Sequence, residues 1–251
     1  MLFLERCPDG MRGECFYQKQ IPKSMPPATP AKRIAHATGA RGFADYVVGG
    51  SLTTQLALAN LGCIAVHVMA SRASSPRRPE WICIDNDPAP GRFEDAVDEG
   101  LHVKAALDVL KLVSFVKTSG SWGMHVLSPI RNGPDSNEVL AFAESFVARA
   151  AAAHPDKLTV EHSVAARRDR VYLDPFRNGF GQTVAAPYSA RRRERAPIST
   201  PLDWSEVKPT LIPSDFNMGN FMKRLKRADS WSNFFENRQP LKDAAQLLSK
   251  V

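Results

Sequence analysis

Residues 81–90 read WICIDNDPAP, an apolar run that ends on two carboxylates, Asp85 and Asp87. The run is predicted to form a buried strand, in which side chains alternate between the two faces. Asp85 and Asp87 therefore project from one face and Asn86 from the other. Two adjacent carboxylates near an interior repel each other and need cations or donors to stay ionised. A pair of Mg²⁺ or Mn²⁺ ions about 3.5–4 Å apart would meet that need. The alternative is an acidic turn before Pro88, which accounts for the same sequence without a metal ion.

Strand and helix patterns alternate on both sides of this stretch, which indicates a mixed α/β chain. The predicted strands are LFLERC (2–7), CIAVHV (63–68), VSFVK (113–117), MHVLSPI (124–130) and DRVYLD (169–174). The predicted helices are SLTTQLALANLG (51–62, with Ser51 as N-cap), RFEDAVDEGLHVKAALDVLKL (92–112) and VLAFAESFVARAAAAH (139–154). Residues 22–42 are predicted to form a long basic loop, and residues 209–251 a mostly helical tail.

The composition is typical of a globular protein with a polyanionic partner. The 251 residues are 43% hydrophobic and 24% charged, with a formal net charge of +7. A basic balance favours nucleic acid, although many basic proteins bind none. The four cysteines are scattered without zinc spacing, and we expect them to be reduced: Cys7, Cys15, Cys63 and Cys83. With no signal peptide and no apolar run of about 18 residues, the chain is expected to be cytoplasmic, associated with the nucleoid, and to span no membrane.

The stretch KTSGSWGMHV, residues 117–126, has the composition of an anion-binding loop. Ser119, Gly120 and their small neighbours would let backbone N–H groups approach an anion, and Lys117 and His125 could add further donors. A glycine turn in an ordinary hairpin is an equally simple interpretation of the loop by itself.

A third carboxylate, Asp174, ends the predicted strand in RRDRVYLDPFRN. Arginines lie on both sides of it, and PYSARRRER adds four more, beginning with Arg191. Arginine runs are usually solvated surfaces, but the planar guanidinium also suits phosphate.

These stretches together resemble the polymerase domain of bacterial ligase D, a DNA end-joining enzyme, and so the archaeo-eukaryotic primase superfamily. The matching segments run in family order from about Leu2 to Trp204: RCPDGMRGECFYQK, ANLGCIAVH, PEWICIDNDP, FVKTSGSWGMHV, VYLDPFRN and APYSARRRERAPISTPLDW. The resemblance implies an α/β (α+β) primase-like fold with a central, mainly antiparallel sheet flanked by helices. It also implies one primase-polymerase domain over residues 1–251, in a stand-alone member that begins inside the family's pattern.

The same resemblance implies an activity and its partners. Members of this family are template-dependent nucleotidyltransferases that fill short gaps at broken DNA ends, prefer ribonucleotides and use two Mn²⁺ or Mg²⁺ ions, and some prime synthesis. The expected partners are primer-template or gapped DNA, NTP or dNTP, and, in non-homologous end joining, a separate ATP-dependent DNA ligase and a Ku-type protein.

Roles for individual residues follow from their match to the family's motifs. Asp85, Asp87 and Asp174 match the catalytic, metal-binding acids. The expected nucleotide-binding residues are His67, Lys117, Ser119, Gly120, His125 and Arg191. The expected DNA-binding residues are Arg6, Phe16, Tyr17 and Lys19.

One departure from the family pattern keeps two rival functions open. Trp122 stands where the family has a lysine that contacts the triphosphate, and a lost charge-assisted contact costs about 1.5–3 kcal/mol. The chain could therefore be a catalytically weakened nucleic-acid-binding module. A two-metal nuclease would use similar acids, but it has no need of a triphosphate loop.

Overall fold

The structure is a computed structural model, and it describes residues 1–35, 42–131 and 133–250. Strands in these residues are β1 (Leu2–Arg6), β2 (Phe16–Gln18), β3 (Ala31–Ala35), β4 (Phe43–Val47), β5 (Cys63–Val68), β6 (Trp81–Asp87), β7 (Phe115–Thr118), β8 (Met124–Pro129), β9 (Leu158–Thr159), β10 (Val171–Asp174), β11 (Val184–Ala185) and β12 (Pro201–Leu202). The α-helices are α1 (Leu52–Asn60), α2 (Phe93–Val109), α3 (Ser136–Ala153), α4 (Val164–Arg167) and α5 (Leu241–Leu248).

The larger sheet places β6 at its centre. Among the described residues it has the order β12-β7-β8-β6-β10-β9, antiparallel throughout except where β9 meets β10. Ile82 and Ile84 of β6 pack in the main core with residues of α2, α3 and α5. Trp81 and Cys83 belong to a separate apolar cluster, because alternate side chains of a strand point to opposite faces. Asp85 and Asp87 share the face of Trp81 and Cys83.

The smaller sheet has the order β11-β5-β1-β2 and packs on α1, where Leu58 contacts a cluster that includes Leu2 and Leu4. Val184 of β11 joins Trp81 and Cys83 in the second cluster of the larger sheet. The acidic face of β6 is therefore turned toward the smaller sheet, and a cleft between the two sheets follows from this arrangement.

The mixed α/β class and the mainly antiparallel sheets are confirmed. The N-cap of α1 is also confirmed, since Ser51 Oγ accepts a hydrogen bond from Thr54 N at 3.1 Å. None of the helices in the described residues is long and apolar enough to cross a membrane.

Two predictions about segments need correction. The basic loop was predicted over 22–42, but residues 31–35 form β3, which pairs antiparallel with β4 and buries Ile34; residues 36–41 lie outside the described residues. In the tail, Phe221–Lys226 forms a 3₁₀ turn and only α5 is an α-helix. The apolar residues of Phe221–Lys226 are spaced in a way that fits both an α-helix and a 3₁₀ helix, so periodicity alone does not distinguish the two helix types.

The expectation of four reduced cysteines is wrong, because Cys7 and Cys15 form a disulfide. The reason is the register of the β1–β2 pair, in which Arg6 lies opposite Phe16. The next pair outward is Cys7 and Cys15, and their Cα atoms are 4.3 Å apart. Cys63 and Cys83 are free.

Candidate active site

Four polar side chains form one row across neighbouring strands of the larger sheet. Lys117 of β7 lies opposite His125 of β8, His125 lies opposite Asp85 of β6, and Asp85 lies opposite Asp174 of β10. Directly opposite residues share a face of the sheet. We call these four side chains the polar row, and it brings together residues that are up to 89 positions apart in sequence on the face turned toward the cleft.

Two arginines hold the three carboxylates. Arg177 Nε lies 3.1 Å from Asp85 Oδ2 and 3.3 Å from Asp174 Oδ2, so one guanidinium bridges two acids. Arg167 Nη1 lies 3.1 Å from Asp87 Oδ2. Asp174 also accepts from Phe176 N at 2.8 Å. The Arg177 guanidinium thus lies between the carboxylates of Asp85 and Asp174.

Electrostatics distinguishes the three acids. Burial would raise the pKa of Asp85, but His125 and Arg177 lower it more strongly, so the pKa lies below its usual range and the carboxyl stays ionised. Burial raises the pKa of Asp174, and burial together with the charge of Asp85 raises the pKa of Asp87. Burial is the main cause of both raised pKa values, so Asp87 and Asp174 gain from any further cation that would help to keep them ionised.

A cleft of about 180 Å³ lies next to the polar row. Of the predicted site residues it is lined by His67, Asp85, Asp87, Ser119, His125 and Arg191. Two residues that line this cleft, His67 and Arg191, each have a buried nitrogen without a partner among the described residues, His67 Nε2 and Arg191 Nε. Unsatisfied buried polar atoms are costly, and a ligand that carries several acceptor oxygens would satisfy both.

His67 is a neutral ring in this cleft. Burial, followed by the positive charges of Arg191 and Lys117, lowers the pKa of His67 to about 3. A neutral imidazole has one N–H and one lone pair. His67 can therefore donate one hydrogen bond to a ligand without adding a charge.

The loop between β7 and β8 wraps around Ser119. Ser119 Oγ accepts from Ser121 N at 3.1 Å and from Gly123 N at 3.2 Å. Gly120 has φ +70°, and a Cβ there would meet Arg191 Cγ at 2.8 Å, while a Cβ on Gly123 would meet Asn86 O at 2.1 Å. Both glycines are required by close packing, and this packing fixes Arg191, whose Nη1 donates to Ser119 O at 3.0 Å.

Two predicted nucleotide contacts are placed differently from expectation. Lys117 is fully buried and lies behind His125, so its amine does not line the cleft. Gly120 contacts Arg191 instead of facing the cleft. Trp122 lines the cleft and is 46% exposed, with the Arg193 guanidinium 4.8 Å from its ring centroid.

The predicted DNA-binding residues lie on the two faces of the β1–β2 pair. Phe16 and Tyr17 are exposed, but Arg6 lies opposite Phe16 and Glu5 opposite Tyr17, so the two rings point to opposite faces. On one face the Arg6 guanidinium lies 5.4 Å from the Phe16 ring centroid. On the other face Phe3 stacks on Tyr17 at 5.4 Å, and Lys19 Nζ lies 5.7 Å from the Phe3 ring centroid. Phe3 lies 6.1 Å from His67, so Phe3, Tyr17 and Lys19 form an aromatic strip that runs from the surface of β2 to the rim of the cleft.

Sequence reasoning missed Phe3 and did not assign a role to Arg177. Phe3 sits in the LFLERC strand, where alternation with the buried Leu2 and Leu4 could have placed it on the face of Tyr17. Arg177 follows Asp174 by three residues, a spacing that one 3₁₀ turn brings onto the carboxylate.

The donor set has the chemistry of a Mg²⁺ or Mn²⁺ site. Both ions prefer carboxylate oxygens; Asp85 and Asp87 line the cleft, and Asp174 lies opposite Asp85 on the neighbouring strand without lining it. Among the described residues no group of three or more such side chains is already gathered as a metal cage, and Arg177 and Arg167 are paired with the three carboxylates. The residues fit the ions in kind, and their guanidinium partners would have to give way.

Comparisons with known proteins identify the family to which the chain belongs. A family model described as LigD, primase-polymerase domain, matches residues 1–231. The chain is 30% identical over 240 residues to the bifunctional non-homologous end joining protein LigD of Bacillus subtilis, covering 93% of this chain and 38% of the relative. It is 28% identical to the multifunctional LigD protein of Pseudomonas aeruginosa, covering 96% of this chain and 29% of the relative. The chain thus spans well under half the length of both relatives.

A solved structure, the polymerase domain of Mycobacterium tuberculosis ligase D in complex with DNA, superposes with a TM-score of 0.86 at 24% identity. The superposition covers 94% of this chain and 85% of that one. The fold is that of an archaeo-eukaryotic primase-like domain, and the family match gives the nucleotidyltransferase class. The family match is more specific, and it shows that the chain belongs to the LigD primase-polymerase domain family.

Proposed function

We propose that the chain is a template-dependent nucleotidyltransferase that extends a primer strand on DNA. The observation that carries this proposal is the polar row, which sets Asp85 opposite Asp174 beside a cleft with two unpartnered donors, His67 Nε2 and Arg191 Nε. A triphosphate supplies acceptor oxygens for these donors, and the acids supply oxygens for the ions that accompany it.

Each side chain has a role that its position supports. Asp85, Asp87 and Asp174 would hold two Mg²⁺ or Mn²⁺ ions, which would lower the pKa of the primer 3′-hydroxyl and neutralise charge on the phosphates. Arg191 and His67 would donate to the triphosphate, and the His125 Nε2, 3.3 Å from Asp85 Oδ1, would donate at the boundary between acids and phosphates. Positioning and charge neutralisation supply most of the rate in such reactions.

The aromatic strip is proposed to bind the DNA. Tyr17 of the strip is exposed, and bases stack on aromatic rings with little sequence preference. Lys19 lies against the Phe3 ring of the strip and Arg6 against the exposed Phe16 ring on the other face of these strands, and both cations would pair with phosphates. The strip leads to His67, so a strand bound along it would be directed toward the cleft.

The biological setting follows from the relatives and is part of the proposal. The names of the Bacillus and Pseudomonas relatives place those proteins in non-homologous end joining. We propose gap filling in the same process for this chain, as one domain that acts with a DNA ligase and a Ku-type protein, and with ribonucleotides preferred. Parallel reactions with NTP and dNTP measure the preference, and equal kcat/KM values for the two would contradict it.

A primer-extension assay with Mn²⁺ and NTPs tests the central proposal. Wild-type protein should extend the primer, and Asp85→Ala should reduce extension to background. Asp169→Asn is a matched control, because it removes a carboxylate whose side chain is 83% exposed near the site and should stay active. Extension equal in wild type and Asp85→Ala would end the proposal, and shortening of DNA by protein and metal without NTP would indicate a nuclease instead.

A further inference from the structure

Lys117 is a fully buried lysine whose amine is bonded to neutral groups. Its Nζ lies 2.7 Å from His125 Nδ1 and 2.6 Å from Ser199 Oγ, and its side chain is 0% exposed. Burying an amine is costly unless its hydrogen bonds are well made. Packing alone does not explain why a lysine is buried here, because an apolar side chain of similar length would fill the same space without the cost of burying an amine.

The hydrogen bonds around His125 can be assigned a direction at each step. Asp85 Oδ2 is paired with the Arg177 guanidinium at 3.1 Å, so Asp85 is a carboxylate that only accepts, and His125 Nε2, 3.3 Å from Asp85 Oδ1, carries a proton. The second ring nitrogen, His125 Nδ1, lies 2.7 Å from Lys117 Nζ, and a lysine ammonium has donors and no acceptor. His125 Nδ1 is therefore a lone pair that accepts from Lys117.

The other bond of Lys117 has a direction too. Ser199 Oγ donates its proton to Thr118 O at 2.9 Å, so its lone pairs accept from Lys117 Nζ. Two N–H groups of the amine are thus used, one toward Ser199 and one toward His125. Both a neutral amine and an ammonium have these two protons, so the arrangement does not depend on the charge of Lys117.

We propose that Lys117 is a positioning residue that fixes the ring plane and the tautomer of His125, so that Nε2–H always points into the cleft. The inference deepens the proposed function, on which its kinetic consequence rests. His125 then has a single N–H to donate, to Asp85 Oδ1 in the free protein and to a phosphate oxygen when a nucleotide is bound. It is neither a metal ligand nor a base, because its lone pair is engaged by the amine behind it.

The Lys117→Met variant tests the proposal, since methionine is unbranched and cannot donate. Thr118→Val is the matched control: it alters the next residue of β7, whose hydroxyl donates to Ile198 O and does not contact His125. The first readout is the ¹⁵N spectrum of histidine-labelled protein without nucleotide, with the His125 signals assigned by their loss in His125→Asn. Wild type and Thr118→Val should show the Nε2–H tautomer, and Lys117→Met should show a mixture.

The second readout is steady-state extension. Lys117→Met should raise KM for the nucleotide at least ten-fold and change kcat less, because the orientation of a binding donor is lost. Thr118→Val should leave both near wild-type values. A pure Nε2–H tautomer in Lys117→Met, or an unchanged KM, would overturn the proposal. If wild type extends no primer, the proposed function fails, while the ¹⁵N readout still decides the role of Lys117.

Chemical rescue provides an independent measurement. Lys117 lines a second cavity of about 720 Å³, which also borders Trp81 and Leu127 and through which a small molecule can reach its position. Propylamine should restore the Nε2–H tautomer in Lys117→Ala, and ethyl methyl ether, which has no proton to donate, should not. Rescue by both compounds or by neither contradicts the proposal. If neither variant folds, an Nδ1–H tautomer of His125 in wild type would overturn it alone, and an Nε2–H tautomer would support it.

Discussion

Asp85 is held from two sides, by His125 at Oδ1 and by Arg177 at Oδ2. Sequence pattern predicts part of this environment: alternation in β6 placed Asp85 and Asp87 on one face, and the structure agrees. The partners could not be predicted from pattern, because Arg177 reaches Asp85 from 92 residues away. The catalytic role of all three acids stays a prediction that the extension assay decides.

Trp122 is the residue at which the two rival functions separate. If the missing lysine weakens triphosphate binding, Trp122→Lys should strengthen NTP binding by about 1.5–3 kcal/mol, the usual worth of a hydrogen bond to a charged group. Isothermal titration with a non-hydrolysable NTP measures it. Phe235→Lys, which adds the same charge at an exposed ring elsewhere, controls for net charge. If wild type already binds as tightly as Trp122→Lys, the weakened-module hypothesis fails.

His67 should make the stability of the protein depend on pH. Its pKa is lowered to about 3 in the folded chain and is about 6.5 in an unfolded one. Below pH 6.5 the unfolded chain takes up a proton that the folded chain refuses, so stability is lost as pH falls from about 6.5 toward 3. The contribution is about 1.4 kcal/mol per pH unit.

Urea unfolding of wild type and His67→Gln at pH 7, 6, 5 and 4 checks this dependence. The free energy of unfolding of His67→Gln should fall less steeply with acid, by about 1.4 kcal/mol per pH unit. His154→Gln, at an exposed histidine, should keep the wild-type slope. Parallel curves for wild type and His67→Gln would show that the buried ring is protonated in the folded protein.

Among the elements, the β1–β2 pair carries a feature that cysteine spacing did not reveal. Zinc and redox patterns are local in sequence, but the Cys7–Cys15 disulfide depends on which residue faces which across two strands. The strands and helices themselves were largely predictable from periodicity and capping. The hairpin of β3 and β4 was not, since exposed basic residues mask its alternation.

The disulfide should stabilise the chain mainly by restricting the unfolded state. Its cysteines are 8 residues apart, and closing a loop of that size is worth about 2–3 kcal/mol. The Cys7→Ser/Cys15→Ser double variant should lose that much free energy of unfolding in urea, and dithiothreitol should cause the same loss in wild type but none in the double variant. Detection of four reactive thiols in unfolded, unreduced protein would contradict the bond.

For the whole molecule, the fold was predictable from the motifs taken together in their order along the chain, because the motifs map to elements of the two sheets. The relative placement of the two sheets was not predictable from periodicity. It depends on side chains such as Val184, which lies far from Trp81 and Cys83 in sequence and packs beside both.

The net charge of +7 leads to a prediction for DNA binding. Affinity for a primer-template should fall as the salt concentration rises. A plot of log Kd against the logarithm of the salt concentration should be linear, with a slope set by the number of phosphate contacts. Arg6→Gln and Lys19→Gln should each reduce that slope by about 1. Lys157→Gln, at an exposed lysine outside the aromatic strip, should not change it. Fluorescence anisotropy measures the slopes, and a salt-independent Kd would rule out phosphate binding by the strip.

The polar row also constrains how the gene can change. Its four residues lie directly opposite one another on four adjacent strands. Inserting or deleting one residue in one of these strands, before its residue of the row, would move that side chain to the other face of the sheet, into the apolar layer beneath the helices. Length variation should therefore be tolerated in the connections between these strands and eliminated inside them. Selection for chemistry in this row acts at the same time as selection for correct strand pairing.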